Sequence, residues 1–379
     1  MNDKKIDQLQ IFDVIVIGAG PAGLGVSILL QELGINYTIL EKDEIGASFR
    51  RWPEETRFIS PSFTGNFFMM PDLNAITPET SPAFELLTEH PTGNEYADHL
   101  ENVANYYQLS ITTGCKVLNV AQRKNKSFVI ETEDSTFLSK YVIWAAGEYQ
   151  YPSTDSFNGG NYTTHYSNIR SFSDVEGDEV TVIGGYESGF DAAINLAKLG
   201  KTVHLIDDFE YLEWVESDSS YSLSPFTRDR IKEVLEKDFY YHKKAKVEKV
   251  SIEDGQYVVE TDNGDFYKSL SKPINCTGFD TSLKLVSKMF DFYENYPLLT
   301  EFDESKKTEN LFLVGPQVRH GTALFCFIYK YRQRFAIVAE KLAQNLGVSD
   351  EEIEKVLLPY KSNNFYLKDL ECCDGECVC

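Results

Sequence analysis

Three sets of residues in this chain have types and spacings that could carry chemistry. The first is Gly18-Ala19-Gly20-Pro21-Ala22-Gly23, a Gly-x-Gly-x-x-Gly run followed roughly twenty residues later by the acid of Glu41-Lys42. Gly18 permits a tight strand-to-helix turn. Gly20 lets the backbone approach a pyrophosphate, and Gly23 lets the helix lie close on the strand, with Pro21 and Ala22 at its start. Free N–H groups at that start face phosphate, and Glu41 is placed to accept from a ribose hydroxyl. The second set, Gly184-Gly185-Tyr186-Glu187-Ser188-Gly189, repeats the theme with Tyr186 at the middle glycine, and Asp207 ends the strand that follows. An acid there hydrogen-bonds a free 2′-hydroxyl and repels a 2′-phosphate, which favours NADH over NADPH. Arg228 and Arg230 lie downstream, where they could fold back onto a phosphate. The third set is Cys372, Cys373, Cys377 and Cys379. Thiolates this closely spaced suit a soft metal such as Zn²⁺, Cu(I) or Cd²⁺, or a redox shuttle.

The elements that must position these residues are legible around them. Residues 12–17 form an apolar, β-branched run, a helical pattern follows through Leu30, and 37–40 reads as the next strand. Residues 179–183 and 202–206 read as strands on either side of a helix carrying Phe190, Ala193, Ile194 and Leu196. A strand over 141–144 ends in Ala145-Ala146-Gly147, small residues that suit close passage of backbone past a cofactor. A strand over 310–314 ends at Gly315, and a long amphipathic pattern runs over 323–346, with Lys330, Arg332, Gln333 and Arg334 read as its outer, salt-bridged face. The sequence therefore predicts an α/β protein of two Rossmann-like dinucleotide-binding domains, the second inserted into the first. The first domain is expected over 1–150, the second over 151–280, the return segment of the first over 281–366, and a Cys-rich tail over 367–379. Residues 60–95 read as a loop-rich cover for the first site.

With 379 residues, 42% of them hydrophobic, the chain can bury a sizeable core. A formal net charge of −23 disfavours nucleic acid and anionic membrane as partners. No signal-like apolar region follows Met1-Asn2-Asp3-Lys4-Lys5, and no apolar run is long enough to cross a bilayer, so a cytoplasmic location is expected. Cys115, Cys276 and Cys326 read as small buried hydrophobes.

Taken in order, Gly18 to Gly23, Gly46-Ala47-Ser48-Phe49-Arg50-Arg51-Trp52-Pro53, Ala145-Ala146-Gly147-Glu148-Tyr149, Gly184 to Gly189, Cys276-Thr277-Gly278-Phe279 and Phe312-Leu313-Val314-Gly315-Pro316 resemble the two-dinucleotide-domain flavoproteins. Within them the chain is similar to the flavin-containing monooxygenase superfamily, in its bacterial CzcO-like branch. The resemblance implies FAD in the first unit. Its pyrophosphate would lie at Gly18, Gly20, Pro21, Ala22 and Gly23, its adenosine ribose at Glu41 and Lys42, and its adenine edge at Val117. Ser48, Phe49, Arg50 and Trp52 would reach toward the flavin, Ala145, Ala146 and Gly147 would pass close to it, and the stretch from Gly315 to Thr322 would meet its pyrimidine. NADH or NADPH would sit at Gly184, Gly185, Tyr186, Glu187, Ser188 and Gly189, with Asp207 at its ribose.

The implied chemistry is hydride transfer from a nicotinamide to the flavin, then oxygenation of a small molecule by molecular oxygen through a flavin hydroperoxide. Aromatic cover from Trp52, Phe58, Phe63, Phe67 and Phe68 would exclude water. The catalytic candidates are Trp52, His320 and Asn66, the last being the nearest counterpart of the family's flavin-facing asparagine. The superfamily's Phe-x-Gly-x-x-x-His run is approximated by Phe157 to His165, with the histidine displaced. The alternative is an NAD(P)H-dependent disulfide or metal-ion reductase using the C-terminal cysteines. Against it, Ala22 stands where bacillithiol-disulfide-reductase-like flavoproteins carry a cysteine.

Overall fold

A computed structural model describes residues 11–64, 71–216 and 218–370. Its first sheet begins with β1 (Ile11–Ile17), whose last four residues are buried as the β-branched run predicts. β1 turns at Gly18 into α1 (Pro21–Glu32), and β2 (Tyr37–Leu40) returns parallel beside β1. β3 (Ile111–Thr112) pairs with β2, and β4 (Val117–Gln122), β5 (Phe128–Thr132) and β6 (Thr136–Trp144) form an antiparallel run that brings β6 parallel to β1 on its other side.

β6 has two partners on one edge. Its N-terminal residues pair with β5, while Val142, Ile143 and Trp144 pair parallel with the return strand Leu311–Leu313. A segment far along the chain thus closes the first domain. The long helix after it, α6 (Ile328–Leu346), packs on α1. It starts at Ile328 rather than at 323, because Ala323–Leu324 pairs with Arg319–His320 instead. Gly347, at positive φ, ends it.

The inserted unit is a five-stranded, all-parallel sheet. It contains β7 (Thr164–His165), β8 (Glu179–Ile183), β9 (Thr202–Ile206), β10 (Phe239–His242) and β14 (Ile274–Asn275), in the order β10-β9-β8-β14-β7. Between β8 and β9 runs α4 (Glu187–Lys198), which buries Phe190, Ile194 and Leu196 against them. A meander of β11 (Val247–Glu253), β12 (Gln256–Thr261) and β13 (Phe266–Ser269) completes the unit. Each sheet has its own apolar core, one around Val14, Ile143 and Phe335 and one around Val182, Phe190 and Leu205. Among the described residues no helix is long and apolar enough to cross a membrane.

Candidate functional site

A cavity of about 620 Å³ opens at the carboxyl ends of β1 and β6 and runs toward the start of α4. Gly18 sits at φ +108, where a Cβ would lie 2.5 Å from the Ala145 carbonyl, and a Cβ on Gly23 would lie 1.9 Å from the Gly18 carbonyl. The turn therefore closes only with glycine at both positions. Gly23 is packing rather than lining, whereas Gly18, Gly20, Pro21 and Ala22 line the cavity. A Cβ on Gly20 would meet nothing within 4 Å, and α1 begins with no side-chain cap and no acid in its first turn. Free N–H groups with open space before them fit a pyrophosphate.

Glu41 accepts from the backbone N–H of Ala19 and of Asp43, each at 2.8 Å, one per carboxylate oxygen. It lines the cavity beside Lys42, Lys116 and Val117, and its carboxylate oxygens keep lone pairs for further donors. Ser48, Phe49, Arg51 and Trp52 line the next part. Arg50 corrects the sequence expectation. It pairs with Asp98 at 2.7 Å and Glu101 at 3.1 Å on α3 (Gly93–Tyr107), and so turns away from the cavity. On the short helix Ala47–Arg50 successive side chains point in different directions, and the acids of α3 take the guanidinium. Ala145, Ala146 and Gly147 line the opposite wall. Phe49, Trp52, Phe58 and Tyr149 make an aromatic enclosure, with ring centroids 5.1 Å apart for Phe49–Trp52, 4.9 Å for Trp52–Phe58 and 6.5 Å for Trp52–Tyr149.

The second fingerprint has a different fate. Glu187 and Ser188, at the start of α4, line the cavity, but Gly184, Gly185, Tyr186, Gly189 and Asp207 do not. Asp207 is fully buried. Its carboxylate accepts from the N–H groups of Phe209 at 2.9 Å and Tyr211 at 3.3 Å and from the Tyr241 hydroxyl. A Cβ on Gly185 would strike it at 2.2 Å. Asp207 thus holds the loop that follows it and does not face a ribose. Arg228 and Arg230 are corrected likewise. Arg228 donates to the carbonyls of Leu212, Tyr211, Trp214 and Leu223, and Arg230 to Asp191 at 2.7 Å and Asn195 at 3.3 Å. Glu187 accepts from Thr227 Oγ1 at 2.6 Å and from the Ser224 backbone, and burial pushes its carboxyl up.

The late segment also differs from expectation. Gly315 packs against Ala22, with 3.3 Å from its would-be Cβ, and Thr322 is exposed; neither lines the cavity. Pro316, Cys326, Phe327, Ile328 and Tyr331 do instead. His320 is not a cavity residue. Its Nε2 lies 2.6 Å from Asp303, which also accepts two bonds of 2.9 Å from the fully buried Arg334. Arg332, 2% exposed, donates to the carbonyls of Asp72 and Ala75. The two arginines are therefore buried carbonyl and carboxylate partners rather than an outer face. Of the three described cysteines, Cys115 and Cys326 are half-buried and line the cavity, and Cys276 is buried. Asn66, Phe67, Phe68 and the four tail cysteines lie outside the described residues. Among the described residues no group of three His, Cys, Asp or Glu side chains is arranged for a metal.

Two features went unread in the sequence. Glu148 lines the cavity, and burial alone pushes its carboxyl up to about 7. Its charge in turn helps to push the Cys326 thiol and the Tyr331 hydroxyl up. Its signal was an acid directly after the small residues at the end of β6. The second is a clasp between the domains. Asp191 Oδ2 accepts from Thr56 at 2.7 Å and Tyr166 at 2.7 Å, while its Oδ1 holds Arg230. No local pattern marks these residues, because they come together from four separate segments.

Two nucleotide folds sharing one crevice define a flavin- and pyridine-nucleotide-dependent oxidoreductase architecture. The pattern of the pyridine nucleotide-disulphide oxidoreductase family matches residues 15–315, and the chain belongs to that family. FAD and NAD(P)H are the cofactors that this membership implies. Over 218 residues the chain is 30% identical to "Probable indole-3-pyruvate monooxygenase YUCCA1" of Arabidopsis thaliana, covering 53% of this chain and 49% of that protein. The chain spans about half the length of the curated relatives it matches. The fold is similar to the bacillithiol disulfide reductase Bdr (YpdA) from Staphylococcus aureus, with TM-score 0.74 and 22% identity over 89% of this chain and 99% of that one. It is also similar to the flavin-containing monooxygenase from Stenotrophomonas maltophilia, with TM-score 0.63 and 16% identity over 93% and 99%. Relatives thus include oxygenases and disulfide reductases, and the two groups differ in the electron acceptor.

Proposed function

We propose that the chain is an FAD-dependent NAD(P)H oxidoreductase that oxygenates a small molecule in the crevice between its two nucleotide units. Bound FAD would supply two-electron transfer and the reaction with oxygen. Gly18, Gly20, Pro21, Ala22 and Glu41, with Lys42 and Val117 beside them, would hold it. Ser48, Phe49, Trp52 and the wall Ala145-Ala146-Gly147 would border its reactive end. The observation that carries the oxygenase reading is the aromatic enclosure of Phe49, Trp52, Phe58 and Tyr149 in a cavity whose two described cysteines, Cys115 and Cys326, are both free thiols. Packed rings exclude water, which an oxygenase needs to avoid losing its oxidant as peroxide. Trp52 is then a lining residue at the substrate. His320, held by Asp303, is withdrawn as a catalytic candidate.

The reductase reading rests on one specific observation, the Cys326 thiol in the cavity wall. Burial pushes that thiol up, away from the thiolate that disulfide exchange needs. The test is turnover by the flavin-loaded enzyme with NADH or NADPH, offered amines, sulfides, ketones or disulfides, with oxygen uptake and peroxide recorded. Product formed with oxygen uptake and little peroxide is the expected result. Disulfide reduction without oxygen uptake, abolished by Cys326→Ser, would overturn it. The unpaired thiols suit a reducing compartment, so the cytoplasm is part of this reading. A soft-metal role for Cys372, Cys373, Cys377 and Cys379 belongs to it too. Truncation after residue 370 should abolish stoichiometric Zn²⁺ binding and leave flavin reduction intact.

A further inference from the structure

The second nucleotide fold is half open. The start of α4 faces the cavity through Glu187 and Ser188. The other half, over Gly185, Tyr186 and Asp207, is where the adenosine end of a dinucleotide lies in such folds. Here that half is covered by residues 209–216 and 218–222 of the chain itself. Underneath, the Tyr186 hydroxyl donates to the carbonyls of Ser219 at 3.1 Å and Ser222 at 3.0 Å, and its ring packs 4.9 Å from that of Tyr211. On its far side the same segment is fastened to the return segment of the first domain. Lys330 Nζ donates to the Asp218 carboxylate and, at 2.6 Å, to Ser220 Oγ. Tyr329 and Ser219 share a hydroxyl hydrogen bond, the Cys326 thiol donates to Ser220 Oγ at 3.1 Å, and Tyr221 donates to the Thr322 carbonyl at 3.3 Å.

We infer that this segment is a latched strap, and that the nicotinamide nucleotide binds only to the form in which Asp218–Ser222 has come away from the helix start at Cys326–Lys330. The inference rests on the reading that NAD(P)H uses the second fold. The helix start and the glycine turn are built for a dinucleotide, yet the place of its adenosine is filled by the phenol of Tyr186 and the strap carbonyls. The latch is made of side chains at the strap's edge, so it can release without disturbing either sheet. Its ion pair is partly exposed, Lys330 at 20% and Asp218 at 36%, which keeps release within reach of binding energy. Coenzyme affinity is then the affinity of the open form scaled by the fraction open.

Two variants test this on the flavin-loaded enzyme. Lys330→Met removes the outer latch. It should bind NAD⁺ and NADP⁺ about 5- to 30-fold more tightly by calorimetry, the effect of shifting closure by one or two kcal/mol. Ser220→Cys places a second thiol beside Cys326, and a disulfide between them fixes the strap shut. After air oxidation this protein should lose nucleotide binding and reduction by NAD(P)H while dithionite still reduces its flavin, and dithiothreitol should restore both. Wild type carried through the same oxidation is the control. Equal nucleotide affinity in Lys330→Met and wild type, or full reduction by NAD(P)H of the oxidised Ser220→Cys protein with the disulfide confirmed by mass, overturns the strap and leaves the coenzyme reading standing. Failure of wild type and Lys330→Met alike to bind either nucleotide overturns the coenzyme reading itself, and the strap inference with it.

Discussion

Glu41 and Asp207 end equivalent strands, yet they do different work. Each accepts a backbone N–H bond from the loop after its strand, but Glu41 also accepts from Ala19 and borders the cavity, whereas Asp207 is sealed beneath Gly185 and Tyr241. Asp207→Ser should therefore leave the choice between NADH and NADPH unchanged and weaken both together, as the loop it anchors loosens. Stopped-flow reduction with each nucleotide decides this, and a selective gain for NADPH would return Asp207 to the ribose. Glu148 is the other residue whose surroundings set its role. Its carboxyl, raised to about 7 by burial, is neutral below that pH and charged above it. A charge there opposes the pyrophosphates that the crevice must take. Nucleotide affinity should fall as pH rises through 7, by at most about tenfold per pH unit, the limit for one proton. Glu148→Gln should be flat across the same range in a binding titration at each pH.

At the scale of elements, the turn between β1 and α1 and the helix α6 carry the most consequence. Gly23→Ala forces a Cβ into the Gly18 carbonyl, so α1 must leave β1. Overpacking of this kind costs about 1–3 kcal/mol. The variant should lose FAD as well as stability, whereas Gly20→Ala, in open space, should keep its stability; flavin content and urea midpoints distinguish them. Arg334 on α6 and its partner Asp303, which precedes the return strand, are both fully buried. Arg334→Met strands a buried carboxylate and should cost about 3–5 kcal/mol in chemical denaturation. The burial of Arg332 and Arg334 was not legible in the sequence. Their helical spacing looks like a polar face, and the packing of residues 72–75, 301–303 and 365–367 against them turns it into an interior.

The whole molecule is two domains joined at one crevice, and residues 54–56 hold them together. Glu54 N–H donates to the Arg170 carbonyl at 2.8 Å, Glu55 accepts from Ser171 and from the Phe172 N–H, and Thr56 meets Tyr166 and Asp191. Tyr166→Phe removes one hydrogen-bonding hydroxyl from this clasp and should cost about 0.5–1.5 kcal/mol. Asp191→Ala also leaves Arg230 unpaired and should cost several times more. Equal losses in the two denaturation midpoints would mean that the clasp contributes nothing beyond packing.

The two Rossmann-like units, the nesting of one in the other, and the glycine turn of the first unit were legible from the residues alone. These follow from short-range rules: where glycine is needed for a turn, where β-branched runs form buried strands, and where an acid ends the second strand. The tertiary structure decided which of those signals remain free to act. Asp207, Arg228 and Arg230 carry the right chemistry at the right spacing, but loop carbonyls, loop N–H groups and Asp191 already satisfy them. Arg50 is taken by the acids of α3, and His320 by Asp303. Glu148, Cys326 and Tyr331 meet only because β6 and the return segment end at the same crevice. Whether a polar group is available to a ligand depends on every partner the fold brings within hydrogen-bond reach, and most of those partners lie far away along the chain.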